Sequence, residues 1–190
     1  MTSIPRSTEL RSVLERLEPF DALEREHKSR VLQLLDTAPD AFDRAHYTPG
    51  HVTASAFVVD ASHEYVLLIL HGKLGRWLQP GGHVDPADVD TAAAARREVL
   101  EETGVTVHAA ASARLLDVDV HLIPARNAVP PHEHFDVRFA FEAPDSQLRA
   151  GSDARAARWV RIRDLLTGAT DLPSDESVLR AVRKLRARWS

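Results

Sequence analysis

Arg97-Glu98-Val99-Leu100-Glu101-Glu102-Thr103-Gly104-Val105 is the stretch on which the reading of this chain turns. Glu98, Glu101 and Glu102 stand at i, i+3 and i+4, a spacing that an α-helix brings onto one face. Like charges held that close repel each other. A helix that keeps them together has a cation to hold, and donors that are all oxygen suit a hard ion such as Mg²⁺ or Mn²⁺. The pattern predicts a helix over residues 91–103, which Gly104 ends as a C-cap. On a helical wheel Thr91, Ala94 and Ala95 share the sector of the glutamates, where small side chains would leave room for a metal and a phosphate chain. Ala92, Ala93, Val99 and Leu100 fall on the opposite side, as the anchor against a sheet. The competing reading is a solvated acidic face with Arg97 and Glu101 as an i,i+4 pair. Gly81-Gly82 ahead of the helix, Gly104 behind it and the flanking strands weigh against that.

Working outward, residues 51–60 and 64–71 are β-rich runs joined as a hairpin through Ala61-Ser62-His63. Residues 75–78 form a short strand leading into Gln79-Pro80-Gly81-Gly82, and the loop 82–90 feeds the glutamate helix. Downstream, residues 113–123 and 134–142 read as strands joined by a proline-marked loop, and 156–162 as a last strand. Residues 164–166 turn away from it, and Ser174 caps a closing helix with Val178, Leu179, Val182 and Leu185 inward. Strands on both sides of a central helix, with another helix at the end, make a mixed α/β layered domain. Ahead of it, residues 7–17 carry Leu10, Val13, Leu14 and Leu17 at helical spacing, with Ser7 as N-cap. Pro19 breaks that helix. A second spans residues 21–36 with Val31, Leu34 and Leu35 as its apolar stripe, and residues 37–50 form a connector. The expected organisation is a helical extension and connector over residues 1–50 and the main domain over 51–190.

Composition narrows the function. Cysteine is absent, which excludes disulfides, thiolate metal sites and cysteine nucleophiles together. A net charge of -4 argues against a nucleic-acid partner, which needs a basic footprint. Arg180, Arg183, Lys184, Arg186 and Arg188 cluster near the end and read as a solvated helix face. The first residues lack an apolar signal core and no apolar run approaches membrane-spanning length, so a soluble, cytoplasmic protein without a membrane partner is expected.

These residues resemble the signature of the Nudix hydrolases, G-x5-E-x7-R-E-U-x-E-E-x-G-U with U aliphatic. Arg97, Glu98, Val99, Glu101, Glu102, Gly104 and Val105 match its second half at every fixed position. Trp77-Leu78-Gln79-Pro80-Gly81-Gly82-His83 looks like the usual lead-in. The first half departs from the pattern. Five residues after Gly82 stands Asp88 instead of glutamate, and eight residues rather than seven then separate it from Arg97. The loop has one residue inserted, so Asp88 is the first choice for the acidic partner of Arg97, with Asp90 or Asp85 as alternatives.

The resemblance implies an α/β/α sandwich with a mixed sheet, preceded here by the helical extension. It implies a hydrolase that cleaves a diphosphate bond in a nucleoside diphosphate linked to another moiety, with Mg²⁺ or Mn²⁺ as cofactor. Glu98, Glu101 and Glu102 would be the metal ligands, joined by the carbonyl of Gly81 or Gly82. Glu98 is favoured as general base within the box, and Arg97 would orient the carboxylates without touching substrate. The implied partner is a small nucleotide-type substrate, and relatives that pair as dimers make a homodimer possible. A nucleotide-binding sensor that regulates a partner is the alternative, and the complete carboxylate set speaks against it. An isomerase on the same fold is weakened by the missing cysteine.

A second polar face stands out. Asp117, Asp119 and His121 alternate with Val118, Val120 and Leu122, and His132, His134, Asp136 and Arg138 with Phe135, Val137, Phe139 and Phe141. Each run, as a strand, hides one set and shows the other. Brought together, the polar sets can bind a metal, grip phosphate or supply a base. His121, His132, His134, Asp136 and Arg138 are accordingly candidate substrate-binding residues. The competing reading is the solvent face of an antiparallel hairpin. His27, His46, His63 and His108 read as isolated, and Lys73 and Arg76 as surface residues within reach of substrate phosphates.

Overall fold

The structure, a computed structural model, describes residues 5–72, 74–108, 114–145, 147–148, 156–172 and 175–189. Lys73, the expected cap Ser174 and Ala113 at an expected strand start lie outside them. Two helices come first, α1 (Arg6–Glu15) and α2 (Ala22–Thr37). The strands β1 (Gly50–Val59), β2 (Tyr65–His71), β3 (Arg76–Leu78) and β4 (Gly81–His83) follow, then α3 (Thr91–Thr103). The chain closes with β5 (Arg114–Ile123), β6 (His132–Glu142), β7 (Ala157–Arg161), α4 (Ile162–Thr167) and α5 (Glu176–Arg188).

The strands join in one mixed sheet, ordered β3-β2-β1-β6-β5, with β4 also paired to β1 and β7 to β2. β1 is its centre: antiparallel to β2 and β4 and parallel to β6, it is buried along its whole length. Its alternation sorts two cores. Val52, Ala54, Ala56 and Val58 face a cluster that includes Leu10 and Leu14 of α1, Val31 and Leu34 of α2 and Val99 of α3. Phe57 and Val59 face the other way, onto Ile162 and Leu165 of α4 and Val178, Val182 and Leu185 of α5. Helices therefore cover both faces of the sheet, and α1 and α2 share the core that α3 packs on. Each leucine buried there is worth about 1.5–3 kcal/mol. The first half of the second face is different, since His51, Thr53 and Ser55 are polar and yet buried.

Gly50 makes the start of β1 possible. Its φ is 157°, and a Cβ at this position would lie 1.8 Å from the carbonyl oxygen of Glu133. Only glycine lets the first residue of β1 come that close to β6.

The structure corrects several local expectations. Ser7 does not cap α1, which begins at Arg6 after Pro5 with no side-chain cap. Residues 164–166 lie inside α4 instead of turning away, and Asp175 caps α5 by accepting from the Val178 amide at 2.9 Å. Thr91, Ala94 and Ala95 are fully buried, while Leu100 is 52% exposed. Their small side chains let α3 lie close against β1, so they seat the helix and do not make room above it. Arg180 is buried as well, and the basic end of α5 is only in part a solvated face. No helix among the described residues is long and apolar enough to cross a membrane.

Candidate active site

α3 starts where Asp90 accepts a hydrogen bond from the Ala93 amide at 2.7 Å, and it ends at Gly104, whose φ of 69° suits glycine. Between these caps two of the glutamates, Glu98 and Glu102, meet β4. Glu102 Oε2 accepts from the Gly81 amide at 3.0 Å. Glu98 sits so close over Gly82 that a Cβ there would meet its Oε1 at 2.6 Å. The two glycines are thus a cradle for two carboxylates, and a methyl group at residue 82 would evict Glu98.

Arg97 ties the set together. Its Nη1 donates to Glu98 Oε1 at 2.9 Å and to Glu101 Oε2 at 3.1 Å. Its other edge meets Asp88 as a fork, Nε to Oδ1 at 3.2 Å and Nη2 to Oδ2 at 2.9 Å, while Nη2 also donates to the carbonyl of His83 at 2.9 Å. Asp88 is therefore the acidic partner, as expected across the inserted residue. Asp85 stands farther off at 3.8 Å and Asp90 is spent on the helix cap. The hydrogen bonds that it donates to Asp88, ahead of the one to Glu98, hold the Arg97 guanidinium firmly protonated. Burial raises the Glu98 carboxyl above its ordinary value, with Arg97 pulling it back.

The Arg97 guanidinium meets three carboxylates, Glu98, Glu101 and Asp88, so negative charge is left over beside the glycines. The surplus sits on oxygen donors with Glu98 partly desolvated, and a hard divalent ion fits that donor set. Arg6 of α1 donates to the carbonyl of Asp85 at 2.9 Å, so the N-terminal helices touch the loop that carries the partner of Arg97.

The other polar residues are not a solvent face. Strand register lays them out in rows across β1, β6 and β5. His51, His134 and His121 form one row, Thr53, Asp136 and Asp119 the next, and Ser55, Arg138 and Asp117 the third. Asp117 and Arg138 are 0% and 3% exposed. Arg138 donates to Asp136 at 2.9 Å and to Asp117 at 3.1 Å and lies 3.2 Å from Asp119. Arg180 reaches down from α5 to Asp117 at 2.9 Å and Asp119 at 3.2 Å. Lys184 pairs with Glu24 of α2. Burial opposes the charged form of Asp119, yet His121, Arg138 and Arg180 hold it well below the usual carboxylate range. Likewise burial works against Arg138, and Asp119, Asp136 and Asp117 keep it charged. Asp136 also accepts from Ser55 at 2.8 Å, Thr53 at 3.2 Å and Gln79 at 3.2 Å. Arg138 and Asp136 are thus occupied within the protein.

The histidine row collects more members than the alternation of two strands suggested. The His51 ring centroid lies 5.1 Å from that of His132, 5.0 Å from that of His134 and 5.1 Å from that of His83. His121 is 5.6 Å from His134 and hydrogen-bonds through Nδ1 to Asp119 at 3.0 Å. Burial pushes His83 down to about 4 and His134 to about 2, with neighbouring imidazoles adding to both. Sequence reasoning had not singled out His51 or His83. The available signal was the alternation His51, Thr53, Ser55 in an otherwise apolar strand. His27, read as isolated, is buried 3.5 Å from Asp119, whereas His46 and His63 pair with Asp40 and Glu142. Arg76 is exposed.

The family model described as NUDIX domain matches residues 49–182. No curated protein matches the chain. Among solved structures, the chain is similar to a hydrolase of the NUDIX family from Clostridium perfringens. The TM-score is 0.54 at 22% identity, over 77% of this chain and 99% of that one. The NUDIX domain of Shewanella oneidensis NrtR, in complex with ADP ribose, gives a TM-score of 0.57 at 19% identity, over 83% of this chain and 97% of that one. MutT protein from Bacillus halodurans gives 0.53 at 22% identity, over 70% of this chain and 79% of that one. At these identities the likeness is one of fold.

Proposed function

The chain belongs to the NUDIX domain family, and from that premise we propose that it is a divalent-metal-dependent hydrolase cleaving a diphosphate bond in a nucleoside diphosphate linked to another moiety. Its class is that of a Nudix-type pyrophosphohydrolase. The observation that carries the reading is the seating of Glu98 over Gly82 and of Glu102 on the Gly81 amide, with Arg97 linking Glu98 to Glu101. Those three carboxylates would hold Mg²⁺ or Mn²⁺, together with a carbonyl of Gly81 or Gly82. When bound, the ion supplies charge neutralisation on the diphosphate and a lowered pKa for water.

The chain's own residues then divide the work. Glu98 is half-buried with its carboxyl raised, and it takes the proton from the attacking water. Arg97 holds Glu98 and Glu101 in place and is itself held by Asp88, which makes it a positioning residue. The Gly81 amide fixes Glu102. His83 on β4 and His134 on β6 are held neutral at pH 7 by burial. His121 and His132 stand beside them.

Binding of ADP ribose by the Shewanella domain supports a substrate of the nucleoside-diphosphate-linked type. The remainder of the reading is a cytoplasmic enzyme whose residues 1–50 form an extension to a catalytic domain over 51–190. The test is phosphate release from NDP-sugars, dinucleotides and NTPs with Mg²⁺ or Mn²⁺, run beside Glu101→Gln. Turnover of at least one compound by the wild type, lost in the variant, is expected. Equal inertness on every compound hands the chain to the nucleotide-sensor reading.

A further inference from the structure

We propose that His51, His132 and His134 form a second metal site, separate from the carboxylate site and selective for a transition metal of the class of Zn²⁺. Register builds it. His51 of β1 pairs across the parallel ladder with His134 of β6, and His132 stands two residues earlier on the same face of β6. One ring nitrogen from each of the three comes within 4.8 Å of the others. The His132 and His134 rings are 5.3 Å apart.

The hydrogen bonds around the cluster prepare it for a cation. His51 Nδ1 meets the carbonyl of His46 at 3.2 Å, and His132 Nδ1 the carbonyl of Pro130 at 2.9 Å. A carbonyl only accepts, so both Nδ1 atoms carry the proton and both Nε2 atoms keep a lone pair. Carbonyls that fix the tautomer and tilt of an imidazole in this way are the usual supports behind a metal ligand. His51 is 1% exposed, and its Nε2 is buried without a hydrogen-bond partner. Neither ring nitrogen of His134 is committed to a hydrogen bond among the described residues.

With Nδ1 of two rings spent on carbonyls, the ring nitrogens left to the cluster offer lone pairs, and an anion would need N–H donors there. The lone pairs suit a cation, and imidazole nitrogen prefers Zn²⁺ over the hard ions that an all-oxygen set takes. Three imidazoles leave a fourth position, and His83 borders it, 5.1 Å from His51 and 5.6 Å from His134 between ring centroids. Because His83 follows Gly82 on β4, an ion here would pin the strand end on which the glycine cradle rests.

The test uses the full chain stripped of metal and titrated with Co²⁺ as a visible probe, then with Zn²⁺ and Mg²⁺. One equivalent of Co²⁺ with ligand-field bands of nitrogen coordination is expected, displaced by Zn²⁺ and not by Mg²⁺. His132→Ala and His134→Ala should each weaken that equivalent at least tenfold, whereas Glu98→Gln/Glu101→Gln and His121→Ala should keep it. The absence of such an equivalent overturns the proposal. So does an equivalent that disappears with the glutamates and survives the histidine substitutions. Should the histidine variants not fold, the glutamate double variant still decides, since retention upholds the site and loss overturns it.

Discussion

The carboxylate site and the histidine row lie one residue apart on β4, yet they are built in opposite ways. Glu98, Glu101 and Glu102 come from little more than one turn of α3, and their geometry is settled once that helix forms. The histidines come from β1, β4, β5 and β6 and meet only through strand register. One site is a property of a segment and the other a property of a sheet. Next to the histidine row lies a charged layer, Arg138 and Arg180 with Asp117, Asp119 and Asp136, which ties together the strands whose register the second site depends on.

Substitutions can separate the two regions. Glu98→Gln should lower turnover by about 10²–10⁴-fold, the range of a lost general base, while Co²⁺ uptake by the histidines is unchanged. A steady-state assay beside the titration checks both; a loss of both signals would mean that the regions are one site. Arg138→Leu attacks the charged layer next to the histidine row. Leaving buried aspartates short of a partner should cost about 3–5 kcal/mol in urea unfolding, and an unmoved midpoint would show that Arg180 suffices.

Arg97→Ala should reduce kcat by about 10–100-fold, as for a group that orients ligands from behind. Arg97→Lys should recover little, because a single ammonium cannot fork onto Asp88 while holding Glu98 and Glu101. Full recovery by lysine would reduce Arg97 to a point charge.

The smallest effect concerns pH. Burial lowers His27 from its ordinary value of 6.5, with Asp119 opposing and Arg180 assisting. The unfolded chain therefore takes the proton first. The contribution of His27 to stability is complete above about pH 6.5 and is lost as the pH falls through its folded value. Melting temperature should decline on that acid limb in the wild type and decline less in His27→Gln. Superimposable curves would show that His27 does not titrate on unfolding.

Legibility in the sequence followed the same divide. The glutamate helix, its Gly104 cap and the hairpin at residues 61–63 were readable, since each depends on short spacings, whereas the choice of Asp88 over Asp85 and Asp90 for Arg97 took the structure. A helical wheel orders residues by angle but does not say on which side the sheet lies, so Ala94 and Ala95 were placed in the open when they are the contact with β1. Alternation in β5 and β6 correctly grouped Asp117, Asp119, His132, His134 and Asp136. It could not say that α2 and α5 would cover them, nor that β1 would add His51. Arg180 looked like one of several basic residues on a tail because its partner, Asp117, is 63 residues away.

The parallel ladder between β1 and β6 also sets an order of assembly. Asp117 and Arg138 are only 21 residues apart, so the β5–β6 hairpin closes a short loop. Thr53 and Asp136 are 83 residues apart, and pairing β1 with β6 must wait for a far longer closure. His51 therefore joins His132 and His134 late, after the segment bearing the glutamates has had time to coil. During refolding, capture of a visible metal ion by the histidines would time the docking of β1 on β6.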